Sequence, residues 1–360
     1  MMHTERHMFP GGNTSRGFFS YYQYILPQNI AEHIFILKGG PGVGKSTFMK
    51  KIAQKAAQSD FDVEFMHCSS DPNSLDGIVI PQKKIAILDG TSPHVVDPKY
   101  PGAIDEIINL GDYWNDEGIK NHKKQIMAES SEISRIFQRA YRYLAASALI
   151  HANLEEIYSM ASDKGQVNKI STAIIEKIFD KDTIADTEGS YRKLFASAIT
   201  PDGLKNYLPT LLNTNEKIIL KGNPGTGTER ILSAIADAAL ARGYYTEIYH
   251  CALLPDKPEH VIIPDKDISI TVSNKYHTVP VGEYGCYNLD QFLNKKITEN
   301  YEDYLQYNQL EFEGLLNRAI FTINSAKKLH DSLENCYIPY MNFDKVNQKM
   351  QNIIDYIMSH

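Results

Sequence analysis

The residues with the clearest chemical purpose form one run, Gly39-Gly40-Pro41-Gly42-Val43-Gly44-Lys45-Ser46-Thr47, which fits G-x-x-x-x-G-K-[ST]. Each residue type has a task. The glycines let successive backbone N–H groups curl around phosphate oxygens without Cβ clashes. A helix starting at the end of the run points its positive N-terminal end at the same anion. Lys45 places an ammonium on the β- and γ-phosphates of a nucleoside triphosphate, and the Ser46 hydroxyl ligates Mg²⁺. The expected cofactors are ATP and Mg²⁺.

This chemistry requires a strand before the loop and a helix after it. His33-Ile34-Phe35-Ile36-Leu37 reads as a short buried strand, and 47–58 has helical spacing and good helix formers. Further strands are predicted at Val63-Glu64-Phe65-Met66, Ile78-Val79-Ile80 and Ile85-Ala86-Ile87-Leu88. Strands alternating with crossovers predict a parallel sheet covered on both faces. A long helix follows, its apolar stripe running through Ile133, Phe137, Ala140, Leu144, Ala148, His151, Leu154 and Tyr158. The whole pattern then recurs. Lys38-Gly39-Gly40-Pro41-Gly42-Val43-Gly44 returns as Lys221-Gly222-Asn223-Pro224-Gly225-Thr226-Gly227, at an offset of 183 residues. Glu64 meets Glu247 and His67-Cys68 meets His250-Cys251 at that offset. Upstream the offset is 186, and in the helical region it is 179, where His151, Leu154, Glu155 and Tyr158 meet His330, Leu333, Glu334 and Tyr337. We read an internal duplication, with domains 1–183 and 184–360 and a linker over 180–190.

The run at 39–47 resembles the Walker A motif of P-loop NTPases, and the resemblance covers the α/β part of each half. It implies an α/β fold of two tandem P-loop NTPase-like parallel-sheet domains, each with a helical extension. Ile85-Ala86-Ile87-Leu88-Asp89 resembles a Walker B strand, which implies that Asp89 holds Mg²⁺ directly or through water. The duplicated layout is similar to a family of poorly characterised bacterial proteins described only as ATPase-like, a resemblance that supplies no substrate.

Comparing the halves acts as an internal control. Lys45 becomes Thr228, Ser46 becomes Glu229 and Asp89 becomes Val272, while the loop glycines stay. Glu229 puts an anion where phosphate would lie, and like charges about 4 Å apart cost roughly 4 kcal/mol at an effective dielectric near 20. One catalytic site in the first half and a pseudo-site in the second are expected, the alternative being another ligand in the second glycine nest. Arg135, Arg139 and Arg142 share a helix face; Arg135 and Arg142 have no basic counterpart in the second half, so either is a candidate for neutralising transferring phosphoryl charge. Arg16, and Arg318 reaching across as an arginine finger, are further candidates. Asp71, Asp76, His94 and Asp97 lie in or beside loops after strands, where α/β sheets place ligands. Asp71 becomes Leu254 in the second half, which suits a base taking a proton from an acceptor hydroxyl. His67, Cys68 and His94 recur in both halves and read as packing or hydrogen-bonding groups, with metal ligation the alternative; His151 and His330 read as core.

The remaining properties exclude rather than assign. The 360 residues are 42% apolar and 22% charged, an ordinary soluble globular composition. No apolar run approaches the roughly 18 residues of a membrane span, and no signal-peptide core is present. Cys68, Cys251, Cys286 and Cys336 are too few for a disulfide framework, which suits a reduced, cytoplasmic protein. The net charge of −7 argues against a nucleic-acid partner. Asp89 is followed by Gly90 where motor-type ATPases usually place a water-activating Glu. ATP hydrolysis, phosphoryl transfer to a small molecule, and a slow nucleotide-gated interaction protein therefore all stay open.

Overall fold

The computed structural model describes residues 3–92, 95–279 and 285–359. The first half runs β1 (Glu5–Met8), a hairpin of β2 (Gly11–Thr14) and β3 (Gly17–Ser20), β4 (His33–Lys38), α1 (Lys45–Gln58), β5 (Val63–His67), β6 (Leu75–Ile80), β7 (Ile85–Asp89), β8 (Asp105–Asn109), α2 (Asp116–Lys120), α3 (Lys123–Ala161) and α4 (Lys164–Phe179). The second half repeats this order with β9 (Tyr191–Leu194), β10 (Ser197–Thr200), β11 (Gly203–Asn206), α5 (Leu208–Leu211), β12 (Glu216–Lys221), α6 (Thr228–Leu240), β13 (Thr246–His250), β14 (Pro258–Ile263), β15 (Ile268–Val272), β16 (Gly285–Asn288), α7 (Lys295–Asn300), α8 (Glu302–Glu334) and α9 (Phe343–Ser359). One six-stranded sheet has the order β1-β5-β6-β7-β4-β8, and the other, from the opposite edge, β9-β13-β14-β15-β12-β16.

The sheets contain parallel pairs but are not wholly parallel as the sequence predicted. β6 runs antiparallel to both β5 and β7, and β14 to both β13 and β15. The cause is connection length: a parallel crossover needs about a dozen residues. Only 68–74 separate β5 from β6, and a single helical turn at Pro81–Lys83, closed by Lys84 at φ 53°, joins β6 to β7. The pair that carries the glycine loop is parallel: β4 lies between β7 and β8, with Leu37 level with Asp89.

Helix α1 exists because Phe48, Met49, Ile52, Ala53 and Ala56 fall on one stripe and are buried against the sheet. The helix that completes this core is α9, from the far end of the chain. Its Val346, Met350, Ile353, Ile354 and Ile357 are buried among the residues of α1 and β4, at roughly 2 kcal/mol each. Reciprocally, Val167, Ile174, Ile178 and Phe179 of α4 pack into the core of α6 and β12. The helical regions are thus exchanged. Matched backbone hydrogen bonds fix both crossings: Asn115 N donates to Tyr340 O at 2.9 Å and Asn294 N to Ala161 O at 2.8 Å, while Asn342 N donates to Tyr113 O at 2.8 Å and Asp163 N to Phe292 O at 3.2 Å. Between the crossings α3 and α8 run antiparallel, Asn153 Nδ2 donating to Asn308 Oδ1 at 2.9 Å while Cys336 lies near Glu129. No helix among the described residues is long and apolar enough to cross a membrane.

The two sheets meet through edge strands β1 and β9. Phe9 and Phe195 exchange backbone hydrogen bonds of 2.9 and 3.0 Å. Beneath them lies a lattice of four ions, Glu64, Arg192 and Glu247 buried and Arg6 partly so. Arg6 donates to Glu64 and Glu247, each at 2.9 Å, with a second contact to Glu247. Arg192 donates to the two oxygens of Glu64 at 2.9 and 2.7 Å and stands 3.8 Å from Glu247. Burial would raise the Glu247 carboxyl, but Arg6 and Arg192 outweigh it and hold the group below its usual range. Removing one member leaves an opposite charge buried and unpaired, which costs about 3–5 kcal/mol. Arg192→Met is expected to lower stability to urea by that amount, and a loss under about 0.5 kcal/mol, the range of an ordinary surface change, would contradict the lattice. A carboxylate depressed in the folded state contributes stability that is present above its unfolded pKa and disappears as pH falls through the folded one. The urea midpoint of the wild type should therefore drop more steeply than that of Glu247→Gln as pH falls below the ordinary glutamate range.

Candidate functional site

The loop of residues 39–44 leaves the end of β4 and enters α1 through Gly42 and Gly44, at φ 70° and 94°, left-handed angles open mainly to glycine. Val43 is fully buried and anchors the loop in the α1 core. Among the described residues, none accepts a hydrogen bond from the Gly40, Gly42, Val43 or Gly44 N–H. Four unengaged donors at a helix N-terminus, beside a lysine, suit an anion nest.

Three predicted side chains converge on this nest. Lys45 Nζ donates to Gly39 O at 3.0 Å and Gly40 O at 2.9 Å, and stands 3.7 Å from Asp89 Oδ2. Both side chains are mostly buried, so the ion pair is shielded from solvent. Asp89 Oδ1 accepts from Thr91 N at 2.9 Å and Thr91 Oγ1 at 2.5 Å, which fixes the carboxylate and leaves Oδ2 toward Lys45. Ser46 Oγ accepts from Leu75 N at 3.1 Å, tying the first turn of α1 to the start of β6. Asp76 follows on β6 and is buried. Because Gly77 pairs with Leu88, Asp76 and Asp89 share one end of paired strands. Burial first, and then the Asp76 charge, push the Tyr22 phenol and Cys68 thiol up. Thr47 is exposed on the outer side of the helix.

The other predicted residues are placed elsewhere. Asp71 is held by Ser74 Oγ at 2.8 Å and lies 3.6 Å from Lys327 Nζ of α8. Asp97 is engaged by Lys38 Nζ at 3.1 Å, which also donates to Gly90 O and Val96 O and so ties down the segment after β7. Arg135 and Arg142 lie on the exposed face of α3 together with Arg139, and Arg135 pairs with Glu132 at 3.0 Å. No hydrogen bond or ion pair joins Arg135 or Arg142 to the glycine loop among the described residues. Arg16 pairs with Asp256 of the second half, and Arg318 is exposed on α8. His67 bonds His7 at 2.8 Å and the Pro72 carbonyl at 3.0 Å, and burial lowers its pKa to about 4. His151 is mostly buried, but His330, expected in the core, is half exposed on α8 beside Glu334. His94 lies outside the described residues.

What the sequence did not predict is how closely the second half touches this loop. A Cβ on Gly40 would stand 2.9 Å from the Tyr337 ring. One on Gly42 would meet Ile338 at 2.8 Å and the Glu334 carbonyl at 3.2 Å. Lys327 likewise reaches the loop bearing Asp71 from α8, and its counterpart at offset 179, Ala148, gives no hint of it. In the second half the matching Gly225 packs against the Glu155 carbonyl of α3. Its nest is already partly filled, since Asp290 Oδ1 accepts from Asn223 N at 2.8 Å. The counterpart of Asp290 is Gly111, a difference visible in the sequence that explains why Asn223 N is engaged and Gly40 N is not.

The glycine loop, the Lys45–Asp89 pair and the parallel strands that carry them agree with what comparison with known proteins finds. The family model described as KAP family P-loop domain matches residues 19–205, just over half of the chain. No curated protein and no solved structure matches significantly. The match runs from β3 through the glycine loop, the Asp89 strand, α3 and α4 into β11, and the chain therefore belongs to the KAP family of P-loop domains, within the P-loop NTPase superfamily.

Proposed function

We propose that the chain comprises two units, 1–183 and 184–360, and that the first binds ATP with Mg²⁺ while the second has lost that site. One observation carries the reading: Lys45, Asp89 and four unengaged N–H groups meet at one glycine loop. Thr228, Glu229 and Val272 stand at the matching positions of the second half. The donors suit the metal, because a serine hydroxyl and a carboxylate are the hard oxygen ligands Mg²⁺ prefers. Ser46 and Asp89 would hold it, and it would neutralise charge on the β- and γ-phosphates. Lys45 would exchange the Gly39 and Gly40 carbonyls for phosphate oxygens.

Hydrolysis and phosphoryl transfer are the two reactions open to this site. Gly90 after Asp89 favours slow turnover in the absence of an acceptor. A nucleotide-gated interaction is favoured by a separate observation, the seating of Tyr337 and Ile338 of the second half on the loop itself. Anything that shifts the loop must then shift that contact.

Charge-assisted hydrogen bonds contribute about 1.5–3 kcal/mol each. Lys45→Ala should therefore weaken binding of a labelled ATP analogue roughly 30-fold or more, and clear residual binding at micromolar ligand would sink the single-site reading. ADP formation that rises when a metabolite pool is added supports transfer. A slow rate indifferent to metabolites, with ATP-dependent protection of 334–343 from protease, supports gating. Protection of that segment unchanged by ATP would count against gating.

A further inference from the structure

The second half has a cavity of about 450 Å³ under its own glycine loop, lined by Lys221, Asn223, Cys251, Glu259 and His277 among others. Its wall carries a cluster with no counterpart in the nucleotide chemistry. One oxygen of Glu259, one nitrogen of His260 and one nitrogen of His277 all lie within 4.8 Å of one another. His260 is fully buried and His277 is 5% exposed. The Nε2 atoms of both are buried and have no hydrogen-bond partner among the described residues.

The backbone explains the convergence. Consecutive strand residues ordinarily face opposite ways, but the pairing of β13 with β14 slips between Tyr249–His260 and His250–Pro258. Glu259 is the extra residue of a bulge, a device that re-aims side chains, and it shares a side with His260. His260 Nδ1 stands 2.7 Å from the Thr271 hydroxyl, which can turn its own proton to Val272 O at 3.3 Å and accept from Nδ1–H. In that arrangement the ring proton is on Nδ1 and the unpartnered Nε2 is left to ligate, the orientation outer hydrogen bonds impose on metal-binding histidines. His277 is set by a tight turn in which Asn274 Oδ1 accepts from Tyr276 N at 2.8 Å and His277 N at 3.2 Å.

Two imidazole nitrogens buried without partners are a costly arrangement, and a single cation would satisfy both. Two imidazoles and one carboxylate are the donor set of open zinc sites and of other first-row divalent metals, not of Mg²⁺. We propose that the second half holds a divalent transition-metal site of the zinc class, ligated by His260 Nε2, His277 Nε2 and the Glu259 carboxylate and open toward the cavity. The first half cannot form it, because Gly77 stands at the position matching His260.

The test uses the untagged full-length protein, stripped with a chelator and titrated with Zn²⁺ alone against a chromophoric competitor, and separately with Co²⁺ to read the absorption of a low-symmetry site. One tightly bound ion per chain is expected. His277→Gln and Glu259→Gln should each weaken it at least tenfold and change the Co²⁺ spectrum, and Thr271→Val should weaken it about 10- to 100-fold through the lost ring orientation. Asp89→Asn should leave it unchanged. Absence of binding at micromolar Zn²⁺, or equal affinity in the wild type, His277→Gln and Glu259→Gln, would overturn the site. These two variants change cavity-wall side chains, so circular dichroism that matches the wild type keeps the comparison valid even where His260→Gln fails to fold.

Discussion

Four ions, three of them buried, set the geometry on which everything else depends. Arg6 and Arg192 leave the edge strands of the two sheets and meet Glu64 and Glu247 on the neighbouring strands, each arginine touching a glutamate of both halves. A lattice of this kind is a weak source of net stability, because desolvating four charges offsets most of their attraction. Its value is positional. A one-residue slip of either edge strand would turn an arginine away and strand the carboxylates in apolar surroundings. With the edges fixed, the sheets have one relative orientation, and the long helices reach across to one pair of loops.

Those helices connect the candidate site to the other half of the chain. Residues 334–338, between α8 and α9, cover the glycine loop of the first half, and Glu155 near the end of α3 does the same for the second. Burial of α9 in the α1 core, at roughly 10 kcal/mol for five apolar side chains, exceeds the few kcal/mol that a bound nucleotide can redistribute. Helix α9 is therefore held far more firmly than the segment around Tyr337 that rests on the loop.

The glycine loop, its strand and its helix were legible because local rules decide them: phosphate geometry demands glycine and lysine, and burial demands periodicity. The matched positions were legible too, including Glu64 with Glu247. The direction of β6 was missed because the reading weighed strand spacing above the shortness of residues 68–74. The exchange of α4 and α9 left no local trace, since an apolar stripe says that a helix is buried but not against which sheet. Lys327 and the cluster of Glu259, His260 and His277 escaped for the same reason. Their spacing along the chain follows no ligand motif, and a bulge and a tight turn bring the cluster together.

The reciprocal seating of the helices has one last consequence. Two identical chains arranged this way would have to carry the same residue at every matched position, so any gain at one loop would be imposed on the other. Here both partners are written in one polypeptide and held at a fixed stoichiometry of one to one. Lysine can stand at one loop and threonine at the other, glycine on one strand and histidine on its match, without disturbing the shared scaffold. The covalent link gives the molecule the freedom to be unequal.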